Sequence, residues 1–197
     1  MTASFKLGLT GSIGMGKSTT AALFAAQGIP VWDADAAVHR LYRAGGRAVA
    51  AVGAVFADAV VDGSVSRETL KRHIVADSGA LARLESIVHP LVADDRARFL
   101  ATESSGLVVL DIPLLFENAT DSGLDATLLV TAPPALQRSR VLSRPGMTEA
   151  HFATLLARQM PDAEKRRRAT HIVETLDLAA ATAYVIALIE YIRGSHA

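Results

Sequence analysis

The residues with the clearest chemistry form one short segment, Gly11-Ser12-Ile13-Gly14-Met15-Gly16-Lys17-Ser18. It fits the pattern G-x-x-x-x-G-K-[ST], in which glycines permit a tight turn whose amide groups point at one anion. In such a loop the lysine contacts the β- and γ-phosphates of a nucleoside triphosphate, and the serine hydroxyl coordinates Mg²⁺. Lys17 is therefore predicted to act in catalysis and Ser18 to hold Mg²⁺. The residues predicted to bind the phosphates are Gly11, Ser12, Ile13, Gly14, Met15, Gly16, Lys17, Ser18 and Thr19.

A pair of acids, Asp33 and Asp35, follows the next apolar run along the chain. If this stretch is still extended, residues two apart place both carboxylates on one face. The carboxyl end of a strand beside a phosphate loop is where α/β sheets bind ligands, and a carboxylate there can accept the proton of an attacking hydroxyl or hold water on Mg²⁺. Alternatively, one of the acids caps a helix that begins near Ala36. We favour the functional interpretation for Asp35 and keep both for Asp33.

Two further segments carry candidate side chains for binding an acceptor. Asp111 follows the apolar run Leu107–Leu110, where it can support Mg²⁺ through water or simply form a turn before Pro113. After that turn, Leu114 is predicted to line an acceptor pocket and Glu117 to hold a polar group there, whereas Leu115 and Phe116 are more typical of the core.

His89 precedes Pro90, a pairing that disfavours helical geometry at His89 and predicts a helix end. These two residues are candidates for binding the phosphate or ribose of an acceptor. A structural imidazole that caps a helix is the alternative.

Arginines cluster after residue 137, and arginine stabilises charge that spreads over a transferred phosphoryl group. Arg144 and then Arg140 are the candidates for catalysis, and their spacing of four residues places them near one face if the helix extends that far. A solvated cationic face is the alternative. We also interpret the run Lys165–Arg168 as a solvated helix face, because four cations in a chain of zero net charge do not predict a nucleic-acid site.

The elements that must position these residues alternate between strands and helices. Short apolar runs predict about five strands of a parallel sheet, flanked by helices whose apolar residues recur at helical spacing. Residues 36–105 show helical patterns with little strand signal, which predicts a helical insertion between the second and third strands.

Half of the 197 residues are hydrophobic and cysteine is absent, so disorder, disulfides and thiol chemistry are excluded. No signal peptide or long uncharged apolar run is visible, and we expect a cytoplasmic protein with no membrane or nucleic-acid partner.

Together these motifs resemble the dephospho-coenzyme A kinase family, a group of P-loop small-molecule kinases. The family-specific features are Asp-x-Asp at 33–35, His-Pro-x-Val at 89–92, Pro-Leu-Leu-x-Glu at 113–117, and the segment Gln137–Arg168. The resemblance implies transfer of the γ-phosphate of ATP to the ribose 3′-hydroxyl of dephospho-coenzyme A, the last step of coenzyme A synthesis. It implies that Asp35 stands at the position of the family's proposed base. It also implies a core of residues 1–35, 106–135 and 169–197, an acceptor-binding insertion at 36–105 and a lid at 136–168.

The chain departs from the family pattern at two places. Ser12 replaces a glycine, and Ala169–Thr175 lacks the family's Ala-Asp pair and downstream Asn, so no adenine contacts are predicted there. Two alternatives remain. One is another small P-loop kinase that acts on a nucleoside, nucleotide or sugar alcohol, and the other is a non-catalytic ATP-binding module.

Overall fold

A computed structural model describes residues 4–195 of the chain. Strands and helices share the chain, and between the second and fifth strands helices and a small hairpin follow one another. In chain order the elements are β1 (Phe5–Thr10), α1 (Lys17–Ala26), β2 (Val31–Asp33), α2 (Ala34–Tyr42), α3 (Val49–Val55), a 3₁₀ turn (Ala57–Ala59), β3 (Val60–Val61), β4 (Ser64–Val65), α4 (Arg67–Ala76), α5 (Ala80–Thr102), β5 (Leu107–Asp111), β6 (Ala126–Thr131), α6 (Pro134–Leu142), α7 (Glu149–Ala157), α8 (Asp162–Arg168), β7 (His171–Glu174) and α9 (Leu178–Ser195).

Five strands form one sheet in the order β2-β5-β1-β6-β7. The central strand β1 pairs in parallel with β5 on one side and β6 on the other, and β6 pairs in parallel with β7. Every residue of β5 and β6 is buried, which explains why these strands read as nearly continuous apolar runs. The predicted fold class, a parallel sheet of about five strands flanked by helices, is confirmed.

The chain divides into two compact units. The core unit contains the residues up to Trp32 and those from Glu103 onward, and it holds the sheet. Helices α1 and α9 pack together, and their apolar residues bury alternate residues of β1, β5 and β6 on one face of the sheet. The buried centre includes Leu7, Leu9, Phe24, Leu107, Val109, Leu128, Val130, Val185, Leu188 and Ile189.

Helix α9 is the one helix among residues 4–195 whose length and composition would suffice to cross a membrane. Its apolar residues Val185, Leu188, Ile189 and Ile192 are buried in the core of the core unit. Core helices of α/β proteins meet the same criteria, so this feature is weak evidence for a membrane span.

The inserted unit, Asp33–Thr102, has its own hydrophobic core, formed by α2 to α5 and the hairpin β3–β4. Helices α2 and α5 pack against each other, and Arg40 of α2 is paired with Asp95 of α5. The hairpin was not predicted, because its strands have only two residues each and carry no periodic pattern.

The helix end predicted at His89 was wrong, and the conditions set for two shared faces are not met. Helix α2 begins at Ala34, so Asp33 and Asp35 do not share an extended face; the capping alternative holds for Asp33, which is the N-cap and accepts the amide of Ala36 at 2.9 Å. Helix α5 continues through Pro90 for 23 residues, since its packing compensates for the one hydrogen bond that proline removes. Helix α6 ends at Leu142, before Arg144.

Candidate active site

The phosphate loop connects the carboxyl end of the central strand β1 to the first turn of α1. The first amides of a helix have no acceptor within the helix, so those at the start of α1 are directed toward the loop. Thr20 closes the turn by donating its amide to the carbonyl of Gly16 at 3.0 Å. These amides lie at the loop where the sequence predicts an anion site.

Glycine is required at two positions of this loop. Gly14 and Gly16 adopt φ values of 76° and 96°, in the left-handed region where a side chain is strained. A Cβ at Gly16 would also lie 2.9 Å from Oγ1 of Thr175. The tight turn of the loop therefore depends on both glycines.

Lys17 and Asp111 meet at this end of the sheet. The ammonium of Lys17 forms an ion pair with Oδ1 of Asp111, which is the last residue of β5 and only 2% exposed. Because β5 is the parallel neighbour of β1, its last residue Asp111 lies at the edge of the sheet where the loop after β1 leads to Lys17, the first residue of α1. The pair places a cation and a carboxylate beside the loop, as phosphate and Mg²⁺ chemistry requires.

Thr175, which follows β7, joins the phosphate loop to helix α6. Its hydroxyl donates to the carbonyl of Met15 at 2.7 Å. Arg140 of α6 binds the same residue twice, with Nη1 2.8 Å from the hydroxyl and Nη2 2.6 Å from the carbonyl. Arg140 is therefore fixed against the loop rather than solvated.

A cavity of about 260 Å³ lies beside the phosphate loop, within the core unit. Gly14 and Gly16 form one wall, and both arginines singled out in the sequence, Arg140 and Arg144, contribute to it. The remaining lining residues come from α1, from Thr175 and from the start of α9: Thr19, Thr20, Asp177, Leu178 and Ala181.

Glu117 is held by the segment that follows α7. Its Oε1 accepts the amide of Met160 at 2.9 Å and lies 2.8 Å from Nζ of Lys165, whose side chain is completely buried. Burial by itself raises the pKa of Glu117, but Lys165 and the Met160 amide outweigh it and bring the pKa below its usual value. Lys165 is thus the counter-ion of Glu117, and its interpretation as part of a solvated face was wrong.

The structure places the predicted site residues in two groups. Gly11 to Thr19, Asp111, Leu114, Glu117, Arg140 and Arg144 belong to the core unit, where Leu114 is 38% exposed while Leu115 and Phe116 are buried in agreement with a core role. Asp33, Asp35, His89 and Pro90 belong to the inserted unit, where all four are exposed.

Sequence reasoning missed three side chains that contact the loop: Thr175, Gln137 and Gln159. Gln137 lies on α6 and Gln159 directly after α7, inside the segment noted as rich in arginine and glutamine. No local pattern separates them from surface glutamines, because their partners lie more than a hundred residues away. Among residues 4–195, no group of three or more His, Cys, Asp or Glu side chains could hold a metal ion.

A phosphate loop on the central strand, a lysine–aspartate pair at its edge and arginines over the adjoining cavity define a P-loop kinase. Residues 5–178 match the family model described as Dephospho-CoA kinase, and the chain belongs to that family. A dephospho-CoA kinase of Cereibacter sphaeroides is 64% identical over 189 residues, covering 96% of each chain. One of Ruegeria pomeroyi is 52% identical over 193 residues, covering 98% of each.

A solved structure with a similar fold is TT1252 from Thermus thermophilus. It superposes with a TM-score of 0.87 at 35% identity, covering 96% of this chain and 98% of that one. The two folds therefore agree over nearly their full lengths.

Proposed function

We propose that this chain transfers the γ-phosphoryl group of ATP to the ribose 3′-hydroxyl of dephospho-coenzyme A, with coenzyme A and ADP as products. Membership of the dephospho-CoA kinase family over residues 5–178 is the observation that carries the choice of acceptor. In the transfer, the 3′-oxygen forms a bond to the γ-phosphorus, the bond from that phosphorus to the β–γ bridging oxygen breaks, and the hydroxyl loses its proton.

The phosphate loop supports the donor half of this proposal. Its amides and Lys17 are arranged to hold the β- and γ-phosphates of ATP. When the nucleotide enters, its phosphates compete with Asp111 for the ammonium of Lys17, so this ion pair is the position from which the lysine moves onto the nucleotide. Once on the nucleotide, the ammonium of Lys17 stabilises the negative charge that develops on the transferred group.

The cavity next to the loop is suited to the base and ribose of ATP. Its walls combine glycine backbone with the apolar side chains Leu178 and Ala181, as a planar ring requires. Arg144 lines the same cavity as Gly14 and Gly16 of the phosphate loop and lies beyond the end of α6. We assign Arg144 to charge stabilisation and Arg140 to the fixed wall of the site.

Mg²⁺ enters with ATP rather than as a resident ion. The Ser18 hydroxyl at the start of α1 and the Asp111 carboxylate are oxygen ligands of the kind that Mg²⁺ takes, with water completing its shell. These two residues would hold the metal, which would supply positive charge to neutralise the phosphates of the nucleotide.

The inserted unit supplies the acceptor half of the proposal. Asp35 is exposed in the first turn of α2 and is assigned to accept the proton of the 3′-hydroxyl. Asp33, His89 and Pro90 of this unit are assigned to acceptor binding, as is Leu114 of the core unit. Asp33 keeps one carboxylate oxygen in its cap, so its second oxygen is the one available to a ligand.

A single-turnover assay with γ-labelled ATP tests the proposal against the other acceptor classes. Dephospho-coenzyme A, a nucleoside, a nucleotide and a sugar alcohol are offered separately, and the label is expected on dephospho-coenzyme A alone. Transfer to another acceptor in its place would identify a different small-molecule kinase. Nucleotide binding with no transfer to any acceptor would identify a binding module.

We also place the protein in the cytoplasm, with neither a membrane nor a nucleic acid among its partners. The apolar residues Val185, Leu188, Ile189 and Ile192 of α9 are buried in the core of the core unit, and the formal net charge is zero. The cationic run Lys165–Arg168 is largely neutralised within the protein: Lys165 pairs with Glu117, Arg166 with Asp162 and Glu174, and Arg168 with Glu164. Little free positive charge remains to attract nucleic acid.

A further inference from the structure

Two glutamines hold the backbone of Ile13, in the middle of the phosphate loop, from opposite sides. Gln137 of α6 donates Nε2 to the Ile13 carbonyl at 2.8 Å. Gln159, which follows α7, accepts the Ile13 amide on Oε1 at 3.1 Å. A carbonyl can only accept and an amide N–H can only donate, so the backbone of Ile13 fixes the orientation of both side-chain amides.

Because these groups are buried, the loss of either hydrogen bond is costly. Gln137 is only 5% exposed and Ile13 is half-buried, so the loss of either partner leaves polar groups with poor access to water. The neighbouring residue Gly14 lies in the left-handed region, which a free chain visits among many other conformations. Contacts that hold Ile13 therefore reduce the number of conformations that the loop samples before a ligand arrives.

From this geometry we propose that Gln137 and Gln159 are positioning residues for the nucleotide. They act through the backbone of Ile13 to keep the phosphate loop in its binding conformation, and both belong to the segment 136–168. The inference rests on the proposed function in one respect, that the loop binds a nucleoside polyphosphate. It adds that affinity for the nucleotide is set partly by two amides that do not contact the phosphates.

The opposite roles of the two glutamines allow a matched test, the same substitution at both positions. Gln159→Glu keeps an acceptor for the Ile13 amide, whereas Gln137→Glu cannot donate to the Ile13 carbonyl, and each adds one negative charge. Titration calorimetry with MgADP is expected to show about tenfold weaker binding for Gln137→Glu and less than threefold for Gln159→Glu. The uncharged variants Gln137→Met and Gln159→Met are each expected to weaken binding about tenfold.

The third glutamine of the chain supplies the control. Gln27 is exposed at the end of α1, so Gln27→Met is expected to leave the affinity for MgADP unchanged. In steady-state assays the Met variants at 137 and 159 are expected to raise the KM for ATP about tenfold while the KM for the acceptor stays within twofold. General destabilisation would change both values, and a thermal unfolding scan of each variant verifies that it is folded.

Several results would overturn the proposal. Unchanged MgADP affinity in a folded Gln137→Met variant would do so, and so would equal losses for Gln159→Glu and Gln159→Met. If the substitutions at Gln137 prevent folding, the pair of variants at Gln159 decides alone. Failure of the unmodified chain to bind MgADP is a separate outcome, because it would contradict the proposed function itself.

Discussion

Lys165 and Glu117 form an ion pair inside the core unit, with Nζ 2.8 Å from Oε1 and the lysine side chain completely buried. The contact joins α8 to the loop that follows β5, two segments separated by almost fifty residues. Each charge of a buried ion pair is stabilised by the opposite charge beside it. When one of the two is removed, the other stays buried without a partner, and the fold is destabilised.

Removal of the cation alone is therefore expected to destabilise the fold. Lys165→Met leaves the Glu117 carboxylate without its counter-ion, and we expect a loss of about 3 kcal/mol in the free energy of unfolding. The double variant Lys165→Met/Glu117→Gln is expected to recover most of this loss, since the neutral amide still accepts from Met160. Urea denaturation at pH 7 measures both. A double variant as unstable as the single one would show that the charge is not the cause.

The lowered pKa of Glu117 predicts a dependence of stability on pH. Its folded-state pKa lies below the unfolded value of about 4.3, so between the two values the unfolded chain binds more protons than the folded one. The stabilisation from this carboxylate is complete above the unfolded pKa and is lost as the pH falls through the folded one. Unfolding free energies of the unmodified chain and of Glu117→Gln, measured from pH 7 down to pH 3, are expected to converge in acid. A difference independent of pH would contradict this.

Lys17 is expected to be essential for turnover. Lys17→Ala removes the cation at the start of α1, beside the phosphate loop, and we expect kcat to fall by several orders of magnitude. The control is Lys6→Ala, since Lys6 lies near the amino end of the central strand β1, away from the phosphate loop. A steady-state assay compares the two, and a kcat reduced less than tenfold in Lys17→Ala would refute the assignment.

Asp35 is expected to matter for transfer and not for ATP binding. Asp35→Asn removes the proposed base, so phosphoryl transfer should cease while the affinity for ATP, measured by calorimetry, stays within about twofold. Because Asp35 also stands in the first turn of a helix, its charge interacts with the helix dipole. Glu68 lies in the first turn of α4, so Glu68→Gln removes the same kind of charge–dipole interaction without removing the proposed base. This control variant is expected to retain full activity. Near-normal turnover in Asp35→Asn would remove this residue from the mechanism.

Arg144 is expected to affect kcat more than acceptor binding. Arg144→Ala takes away the guanidinium assigned to the developing phosphoryl charge, and we expect kcat to fall about a hundredfold or more. Arg138→Ala is the matched control, because Arg138 forms an exposed ion pair with Glu149 and such pairs contribute little. An Arg144→Ala variant that changes only the acceptor Kd would indicate a binding role instead.

The sequence alone was sufficient to predict the phosphate loop, the parallel sheet and the apolar face of α9. Each depends on residues that are neighbours in the chain: eight consecutive positions in the loop, short apolar runs in β5 and β6, and a helical repeat from Val185 to Ile192. Within one helix, strand or loop, the spacing of residues along the chain determines their spacing in the structure, so a sequence pattern is sufficient to predict the local geometry.

Only the tertiary structure decided which polar side chains serve the site. Gln159 and Ile13 are 146 residues apart, and Thr175 and Met15 are 160 apart, so no local pattern connects them. Lys165 resembles its solvated neighbours in sequence, yet packing of α8 buries it against Glu117. Packing likewise carries α5 through Pro90, because the contacts of a long helix outweigh the single hydrogen bond lost at proline.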